Sequence, residues 1–225
     1  MGVTIHREVV QGSDAWYEIR RGKLTASEMK LIITAKTLKV AENETCKQHI
    51  YELAAQRISE YVEPTYVGDE MLRGRDDEVD AAILYAKHYA PLQNVGFITN
   101  DRWGFTLGYS PDGLVGEDGA IEVKSRRQKY QIQCIADGGM QDDFAIQVQT
   151  GLLVSERKWI DFISYSGGLP MAVYRILPDE RVQAAIIDAA TVAEAKIREK
   201  VLAYENALKV GTWIPTERRI EEEMI

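Results

Sequence analysis

An aspartate, a glutamate and a lysine stand close together near the middle of the sequence, in an order that suits metal-assisted chemistry. Asp112 lies in a Ser-Pro-Asp-Gly segment at 110–113, and Glu122 and Lys124 lie in a Glu-Val-Lys segment at 122–124. Residues two apart in a β-strand point to the same face, roughly 7 Å apart, so Glu122 and Lys124 project together if they lie in a strand. Carboxylate oxygens are ligands that Mg²⁺ prefers. A bound Mg²⁺ ion next to an ammonium group can activate a water molecule as a nucleophile. The pattern therefore predicts a site for magnesium and a water nucleophile.

The elements around these side chains are predicted to form a β-hairpin. Residues 105–109 and 120–125 are typical of strands, and the connection between them is rich in glycine. In this arrangement Ile121 and Val123 face a core on the opposite side from Glu122. Asp112, at the end of the first strand, folds back toward Glu122.

The rest of the chain alternates predicted helices and strands. Apolar spacing and capping residues predict helices that begin near Ser27 and that cover about 43–62, 70–90, 142–155 and 178–208. Further strands are predicted at about 95–100, 159–165 and 171–177, and residues 34–42 are predicted to form a loop. Because no linker or internal repeat divides the chain, we expect one α/β domain over residues 1–225. Its expected architecture is a central mixed β-sheet flanked by helices.

Composition and charge narrow the class of protein. No apolar run reaches the roughly 18 residues of a membrane span, and the first residues do not resemble a secretory signal. Cys46 and Cys134 match no zinc spacing, which favours free thiols in a reducing cytoplasm. The net charge of −8 argues against a general nucleic-acid coat protein, but clustered basic residues could still form a local binding surface. The candidates for that surface are Lys36, Lys39, Arg73, Arg75, Lys124, Arg126, Arg127 and Lys129.

Taken together, the Pro111-Asp112 and Glu122-Val123-Lys124 segments resemble the two halves of the PD-(D/E)xK nuclease motif. The closer resemblance is to phage lambda exonuclease and the YqaJ-type viral recombinase nucleases, and it extends over most of the chain. The further matching segments are Gly12-Ser13-Asp14-Ala15-Trp16, Arg20, Gly22, Leu24-Thr25-Ala26-Ser27-Glu28, Gly74 with Glu78, Ser110-Pro111-Asp112-Gly113-Leu114 and Gln147-Val148-Gln149.

This resemblance implies a role for each candidate site residue. It implies that Asp112, Glu122 and the Val123 carbonyl bind Mg²⁺, and that Glu78 helps to bind a second ion. It implies that Lys124 orients or deprotonates the attacking water. Taken alone, Glu78 is typical of a solvated helix carboxylate.

The resemblance also implies a pocket for the 5′-phosphate of a DNA end, formed by Arg20, Ser27 and Ser110. A guanidinium can grip a phosphate with two hydrogen bonds, and hydroxyls add donors. Each of these three residues, taken alone, is typical of a surface or capping position.

Two further segments have competing interpretations. Gln147 and Gln149 lie about 200° apart around a helix, so both cannot face one site. The resemblance assigns Gln149 to the water or the scissile phosphate, although a buried glutamine usually bonds to the backbone. Met71 and Leu72 match the position of an apolar wedge that splits the terminal base pair in the family, but core packing is the favoured interpretation here.

The implied function is a Mg²⁺-dependent, processive 5′-to-3′ exonuclease. It degrades one strand of linear double-stranded DNA to 5′-mononucleotides and leaves a 3′ overhang for recombination. Two Mg²⁺ ions are implied, with Mn²⁺ as a substitute, together with a homotrimeric ring, a single-strand annealing partner and a phage or prophage origin in a bacterial cytoplasm.

Two alternatives stay open at this point. One is a PD-(D/E)xK endonuclease of restriction or repair type, for which we expect a separate sequence-reading domain that the sequence lacks. The other is a non-catalytic module that binds DNA ends, against which the complete set of Asp112, Glu122 and Lys124 argues.

Overall fold

The computed structural model describes residues 2–64 and 68–218. Its strands are β1 (Val3–His6), β2 (Leu24–Thr25), β3 (Ile33–Thr34), β4 (Lys39–Val40), β5 (Phe97–Asn100), β6 (Leu107–Tyr109), β7 (Gly113–Val115), β8 (Gly119–Ser125), β9 (Trp159–Tyr165) and β10 (Ala172–Ile176). Its α-helices are α1 (Asp14–Arg20), α2 (Glu44–Ser59), α3 (Asp69–His88), α4 (Gln128–Asp137), α5 (Ala145–Ser155) and α6 (Glu180–Val210). Two 3-10 turns cover Met29–Leu31 and Asp142–Phe144.

The longer strands form two four-stranded sheets, and both sheets are mixed. The first has the order β1-β5-β6-β2, in which only β2 and β6 are parallel. The second has the order β10-β9-β8-β7, in which only β8 and β9 are parallel. The predicted α/β class with mixed strands flanked by helices is confirmed. The strands divide between two sheets instead of forming the single central sheet that we expected.

The helices pack against both sheets through apolar side chains. Helix α5 contacts β5 and β6 of the first sheet and β9 of the second, and α6 packs on α2 and α5. A second, smaller core lies between α3 and β8, where Ala81 and Tyr85 pack against Ile121, Val123 and Ile163. Ile121 and Val123 therefore face a core, as the alternation of the strand predicts.

The predicted hairpin between residues 105–109 and 120–125 is wrong. Strand β6 belongs to the first sheet, and the antiparallel partner of β8 is β7, which begins directly after Asp112. Pro111 has no N–H with which to continue the ladder of the first sheet, so the chain leaves that sheet and crosses to the second. Asp112 stands at this crossing, where its backbone N–H donates to the Ile121 carbonyl at 3.3 Å.

The region between residues 24 and 40 also differs from the prediction. Leu24–Thr25 forms strand β2, a 3-10 turn at Met29–Leu31 replaces the helix expected near Ser27, and the expected loop contains the β3–β4 hairpin. Met29, Ile32 and Ile33 are all fully buried, so the core surrounds this segment on more sides than one helix face. Tertiary burial therefore overrides the local helix signal.

In the part of the chain that the structure describes, no helix is long and apolar enough to cross a membrane. The single domain over residues 1–225 stays a prediction.

Candidate active site

The backbone groups of successive residues in strand β8 point alternately to its two edges, toward β9 and toward β7. Arg126 N–H donates to the Tyr165 carbonyl, which continues the parallel pairing with β9. Backbone groups alternate along a strand, so those of Val123 face the opposite edge, toward β7. There Val123 N–H donates to Asp112 Oδ2 at 2.6 Å. The Val123 carbonyl therefore lies at the same edge of the strand as the Asp112 carboxylate.

Glu122 and Lys124 project from the same face of β8, as predicted. Lys124 Nζ donates to Glu122 Oε1 at 2.7 Å, and the Glu122 side chain is almost fully buried. Burial lowers the pKa of Lys124, but the charges of Glu122 and Asp112 outweigh this effect and raise that pKa above its usual value. The ammonium form of Lys124 is therefore stabilised in this structure.

Glu78 reaches the same site from helix α3. The helix packs on β8, and Asp77 of its first half accepts a hydrogen bond from Ser125 Oγ at the end of that strand. Burial raises the pKa of Glu78, and the neighbouring charges of Lys124 and Glu122 act on it in opposite directions. Glu78 is thus not a solvated helix carboxylate, which was the interpretation of the residue taken alone.

The site contains more negative than positive charge. Burial raises the pKa of Asp112 well above its usual value, and the charges of Glu122 and Glu78 raise it further against the opposing effect of Lys124. One buried and two half-buried carboxylates next to one ammonium favour a cation that prefers oxygen ligands, because such a cation would offset their negative charge. The donor set therefore fits a divalent metal ion.

The carboxylates take protein partners in this structure. Glu122 bonds to Lys124 and Asp112 to Val123 N–H. Among residues 2–64 and 68–218, no group of three His, Cys, Asp or Glu side chains has the spacing of a metal centre. The residues fit a metal ion in charge and in donor type, and the number and identity of the ions stay predictions.

The structure corrects the choice between the two glutamines of helix α5. Gln147 Nε2 donates to Glu122 Oε1, so this residue faces the site. Gln149 donates to the Leu177 carbonyl at 2.8 Å and accepts from Asp179 N–H at 2.9 Å, which fixes the start of α6. The prediction that Gln149 faces the site is wrong. The two amides do lie on different faces of the helix, as predicted, but it is Gln147 that points toward Glu122.

Tyr109, for which we predicted no role, also contacts the site. Its hydroxyl donates to Glu122 Oε2 at 3.2 Å from strand β6 of the first sheet. The available signal was its position directly before the Ser-Pro-Asp-Gly segment. Its partner could not be read from spacing, because the two residues belong to different sheets.

The structure brings the three predicted phosphate-binding residues into one neighbourhood. Arg20 Nη2 donates to Thr25 Oγ1 at 3.2 Å, and Thr25 Oγ1 lies 3.4 Å from Ser27 Oγ. Trp16 Nε1 donates to Ser110 Oγ at 2.8 Å, and the Arg20 guanidinium lies 4.2 Å from the centre of the Trp16 ring. Thr25 and Trp16, which we did not predict as functional, thus connect Arg20 with both serines.

A cleft of about 990 Å³ joins this neighbourhood to the carboxylates. Arg20 and Thr25 line it together with Glu78 and Asp112. Met71 also lines the cleft, and Met71 and Leu72 are 48% and 49% exposed. The interpretation that these two residues pack in the core is wrong, and the strand-separating wedge stays a prediction.

The predicted basic surface is only partly free of acidic partners. Arg73 lies 3.8 Å from Asp77, and Arg127 forms an ion pair with Glu70, so both are paired with acids of helix α3. Arg75 lines the cleft. A single continuous basic surface over the candidate residues stays a prediction.

Comparison with known proteins identifies the family. Residues 15–158, well over half of the chain, match the model of the YqaJ-like viral recombinase domain. The chain belongs to this family. The matched region contains Glu78, Asp112, Glu122, Lys124 and Gln147, so the resemblance predicted from those segments is confirmed.

Solved structures agree with this YqaJ-family assignment. The alkaline exonuclease LHK-Exo from Laribacter hongkongensis is 26% identical, with a TM-score of 0.77 over 88% of this chain and 100% of that chain. LHK-Exo in complex with dAMP matches at the same identity and coverage, with a TM-score of 0.74. A phage-related exonuclease from Haemophilus somnus, 15% identical over 81% of this chain and 96% of that chain, shares the fold at a TM-score of 0.56. No curated protein matches the chain. The predicted class of enzyme, an exodeoxyribonuclease, is confirmed by the family and by LHK-Exo.

Proposed function

We propose that this YqaJ-family protein is a divalent-metal-dependent 5′-to-3′ exonuclease. It degrades one strand of linear double-stranded DNA to 5′-mononucleotides and leaves a 3′ single-stranded overhang. The observation that supports this most directly is the cluster of Asp112, Glu122, Lys124 and Glu78, in which Asp112 and Glu78 line the cleft. The likeness to an alkaline exonuclease that binds dAMP supports a mononucleotide product.

The metal ions would be held by Asp112, Glu122 and the Val123 carbonyl, with Glu78 contributing to a second ion. We propose two Mg²⁺ ions, for which Mn²⁺ can substitute. When bound, such ions polarise the scissile phosphate and make a water nucleophilic at neutral pH. The excess negative charge of the carboxylates in this structure supports the assignment.

Lys124 and Gln147 complete the proposed site: Lys124 acts on the proton of the attacking water and on the charge of the phosphate, and Gln147 acts on Glu122. Lys124 is an ammonium while its carboxylate partners are charged, so it donates a hydrogen bond toward negative charge that develops on the phosphate. With a divalent cation bound to Glu122 and Asp112, the two charges that raise the pKa of Lys124 would be offset, and Lys124 could then take a proton from the attacking water. Gln147 holds Glu122 through Oε1 and so limits its orientation.

The proposed polarity of degradation rests on the neighbourhood of Arg20, which lines the same cleft as Asp112 and Glu78. Arg20, Ser27 and Ser110, connected through Thr25 and Trp16, offer a guanidinium and hydroxyls to a terminal 5′-phosphate. A strand bound there by its 5′ end extends along the cleft toward the carboxylates. Cleavage would then release nucleotides from that end.

The biological setting extends the proposal. Membership of a viral recombinase family supports a role in recombination. We propose that the enzyme is processive, that it forms a homotrimeric ring around DNA, and that it acts with a single-strand annealing protein in the cytoplasm of a bacterial host.

Digestion of matched linear and covalently closed circular duplexes tests the proposed function. With Mg²⁺, we expect mononucleotides from a linear duplex labelled at its 5′ ends and no cutting of the circle. Chelation with EDTA should stop the release. Nicking or linearisation of the circle would contradict the proposal and favour a PD-(D/E)xK endonuclease, and binding without cleavage would favour a non-catalytic end-binding module.

Replacement of Arg20 by alanine is expected to weaken the preference for 5′-phosphorylated over 5′-hydroxyl ends by about 10- to 100-fold. A charge-assisted hydrogen bond contributes about 1.5–3 kcal/mol, and 1.4 kcal/mol corresponds to about a tenfold change. Initial rates on the two kinds of end measure the ratio. Arg102→Ala is the control, since Arg102 is exposed and pairs with Glu156 outside the cleft. An unchanged ratio in the Arg20 variant would remove the phosphate pocket from the proposal.

The glutamines of α5 provide a matched pair of variants. Gln147→Ala is expected to lower the cleavage rate about 10- to 100-fold, because it removes a group that orients a metal ligand. Gln149→Ala is expected to keep the rate and to lower the free energy of unfolding by about 1–3 kcal/mol, since it removes two hydrogen bonds to the backbone of about 0.5–1.5 kcal/mol each. Rates and denaturant titrations separate these results, and a larger rate loss in Gln149→Ala would contradict the assignment.

A further inference from the structure

Tyr109 is a buried tyrosine whose hydroxyl lies at the candidate active site. The side chain is 1% exposed, and its hydroxyl donates to Glu122 Oε2 at 3.2 Å. Lys124 and Gln147 both bond to the other oxygen of the same carboxylate, Oε1. The two oxygens of Glu122 are therefore held by different groups.

Helix α5 supports both halves of this arrangement. Gln147 and Gly151 are four residues apart, so they lie on the same face of the helix. Gln147 contacts Glu122 Oε1, while a Cβ added at Gly151 would lie 2.8 Å from Cζ of Tyr109. One helix face thus supplies a donor to the carboxylate and leaves space for the ring that holds the second donor.

The hydroxyl of Tyr109 connects the two sheets at this point. Tyr109 belongs to β6 of the first sheet and Glu122 to β8 of the second. The side chain of Glu122 has rotatable bonds, and a donor from an independent element limits them more strongly than neighbours on its own strand.

We propose that Tyr109 is a positioning residue that fixes the Glu122 carboxylate in the orientation that binds a divalent cation. The inference rests on the proposed metal-dependent function of this site. Hydrogen-bond partners of metal ligands typically affect metal affinity about 10- to 100-fold. A merely structural tyrosine would instead affect stability and leave metal affinity unchanged.

Direct binding of Mn²⁺ to the DNA-free protein tests this role. We expect Tyr109→Phe to raise the Kd for Mn²⁺, measured by titration calorimetry, about 10- to 100-fold. The Mg²⁺ concentration for half-maximal nucleotide release should rise by a similar factor, and the rate at saturating Mg²⁺ should largely recover. Tyr174→Phe is the matched control, because its hydroxyl donates to the Cys134 carbonyl and its strand β10 is separated from β8 by β9.

Gly151→Ala provides a second variant that keeps the hydroxyl but displaces the ring, and its Kd for Mn²⁺ should also rise. An unchanged Kd in Tyr109→Phe, or in Gly151→Ala if the first variant does not fold, would overturn the inference. The measured Kd for Mn²⁺ does not depend on whether the protein cleaves DNA. If the wild-type protein bound Mn²⁺ without cleaving DNA, the proposed function would fail while a weaker Kd in Tyr109→Phe would still support the role of Tyr109.

Discussion

Replacement of Asp112 by asparagine is expected to lower metal-dependent nucleotide release by at least about 10³-fold, because it removes the charge of a carboxylate that we propose as a metal ligand. The loss corresponds to about 4 kcal/mol of transition-state stabilisation. Asparagine keeps an oxygen that can accept the hydrogen bond from Val123 N–H, so the local backbone should not change. Asparagine before Gly113 can deamidate back to aspartate, and Asp112→Ala should therefore be measured beside it.

The same substitution should stabilise the metal-free protein. The pKa of Asp112 is raised by burial and by Glu122 and Glu78, so the folded state binds its proton more tightly than the unfolded state does. That stability is fully present below the ordinary carboxyl pKa and is lost as pH rises through the raised pKa of the folded state. The Tm of Asp112→Asn should therefore exceed that of the wild type by an amount that grows from about pH 4 upward and then levels off.

Asp118→Asn is the matched control for both measurements. Asp118, in the β7–β8 connection, also precedes a glycine, but it is exposed and pairs with Lys158 at 3.0 Å. We expect normal release and an unchanged Tm in this variant. Normal release in freshly prepared Asp112→Asn or Asp112→Ala would contradict the metal assignment, and a large loss of Tm in Asp112→Asn would show that its carboxylate is structural.

The second large effect is expected from Lys124→Met. This change should lower the rate of nucleotide release about 10²- to 10⁴-fold, because it removes the group that we propose offsets charge on the phosphate and transfers the proton. Methionine retains much of the apolar stem that contacts the site. Rapid-quench measurement of a single turnover with labelled linear duplex reports the chemical step.

The Tm of metal-free Lys124→Met should change in the opposite direction from that of Asp112→Asn. Lys124 is the ammonium that bonds directly to Glu122, so its loss leaves the buried Glu122 carboxylate without this compensating charge. We expect a lower Tm without metal and a larger gain in Tm on addition of Mn²⁺. Lys158→Met, at an exposed pair with Asp118, is the control. Full activity in Lys124→Met would exclude a catalytic role for this residue.

Lys124→Arg separates the two roles of the ammonium. Arginine keeps the positive charge but does not release its proton in proteins. Recovery of most of the rate would indicate that charge stabilisation dominates, and a rate as low as that of Lys124→Met would indicate that proton transfer or the lysine geometry is required.

The sequence predicted the pair on β8 because a strand has a fixed two-residue period. Glu122 and Lys124 must share one face, and Ile121 and Val123 must share the other, wherever the strand lies. The positions of Pro111 and Asp112 before a glycine also marked a turn. The incorrect prediction that residues 105–109 pair with β8 did not affect the predicted faces of β8, because these depend only on local geometry.

The choice of Gln149 shows where local geometry was insufficient. Helical periodicity separates Gln147 and Gln149 onto different faces, but it does not say which face meets β8. The packing of α5 between the two sheets decides that question, and it directs Gln147 toward Glu122. Met71 and Leu72 were likewise misplaced in the core, because their burial depends on what packs against α3.

By itself, the sequence determined the positions of Asp112, Glu122 and Lys124, the α/β class and the family. Each of these can be recognised from short segments of residues that are neighbours along the chain. The tertiary structure alone decided the crossing between sheets at Asp112, the contact of Tyr109 with Glu122 and the shared cleft of Arg20 and the carboxylates. These depend on contacts between segments far apart in the chain, and short-range periodicity contains no information about which distant segments meet.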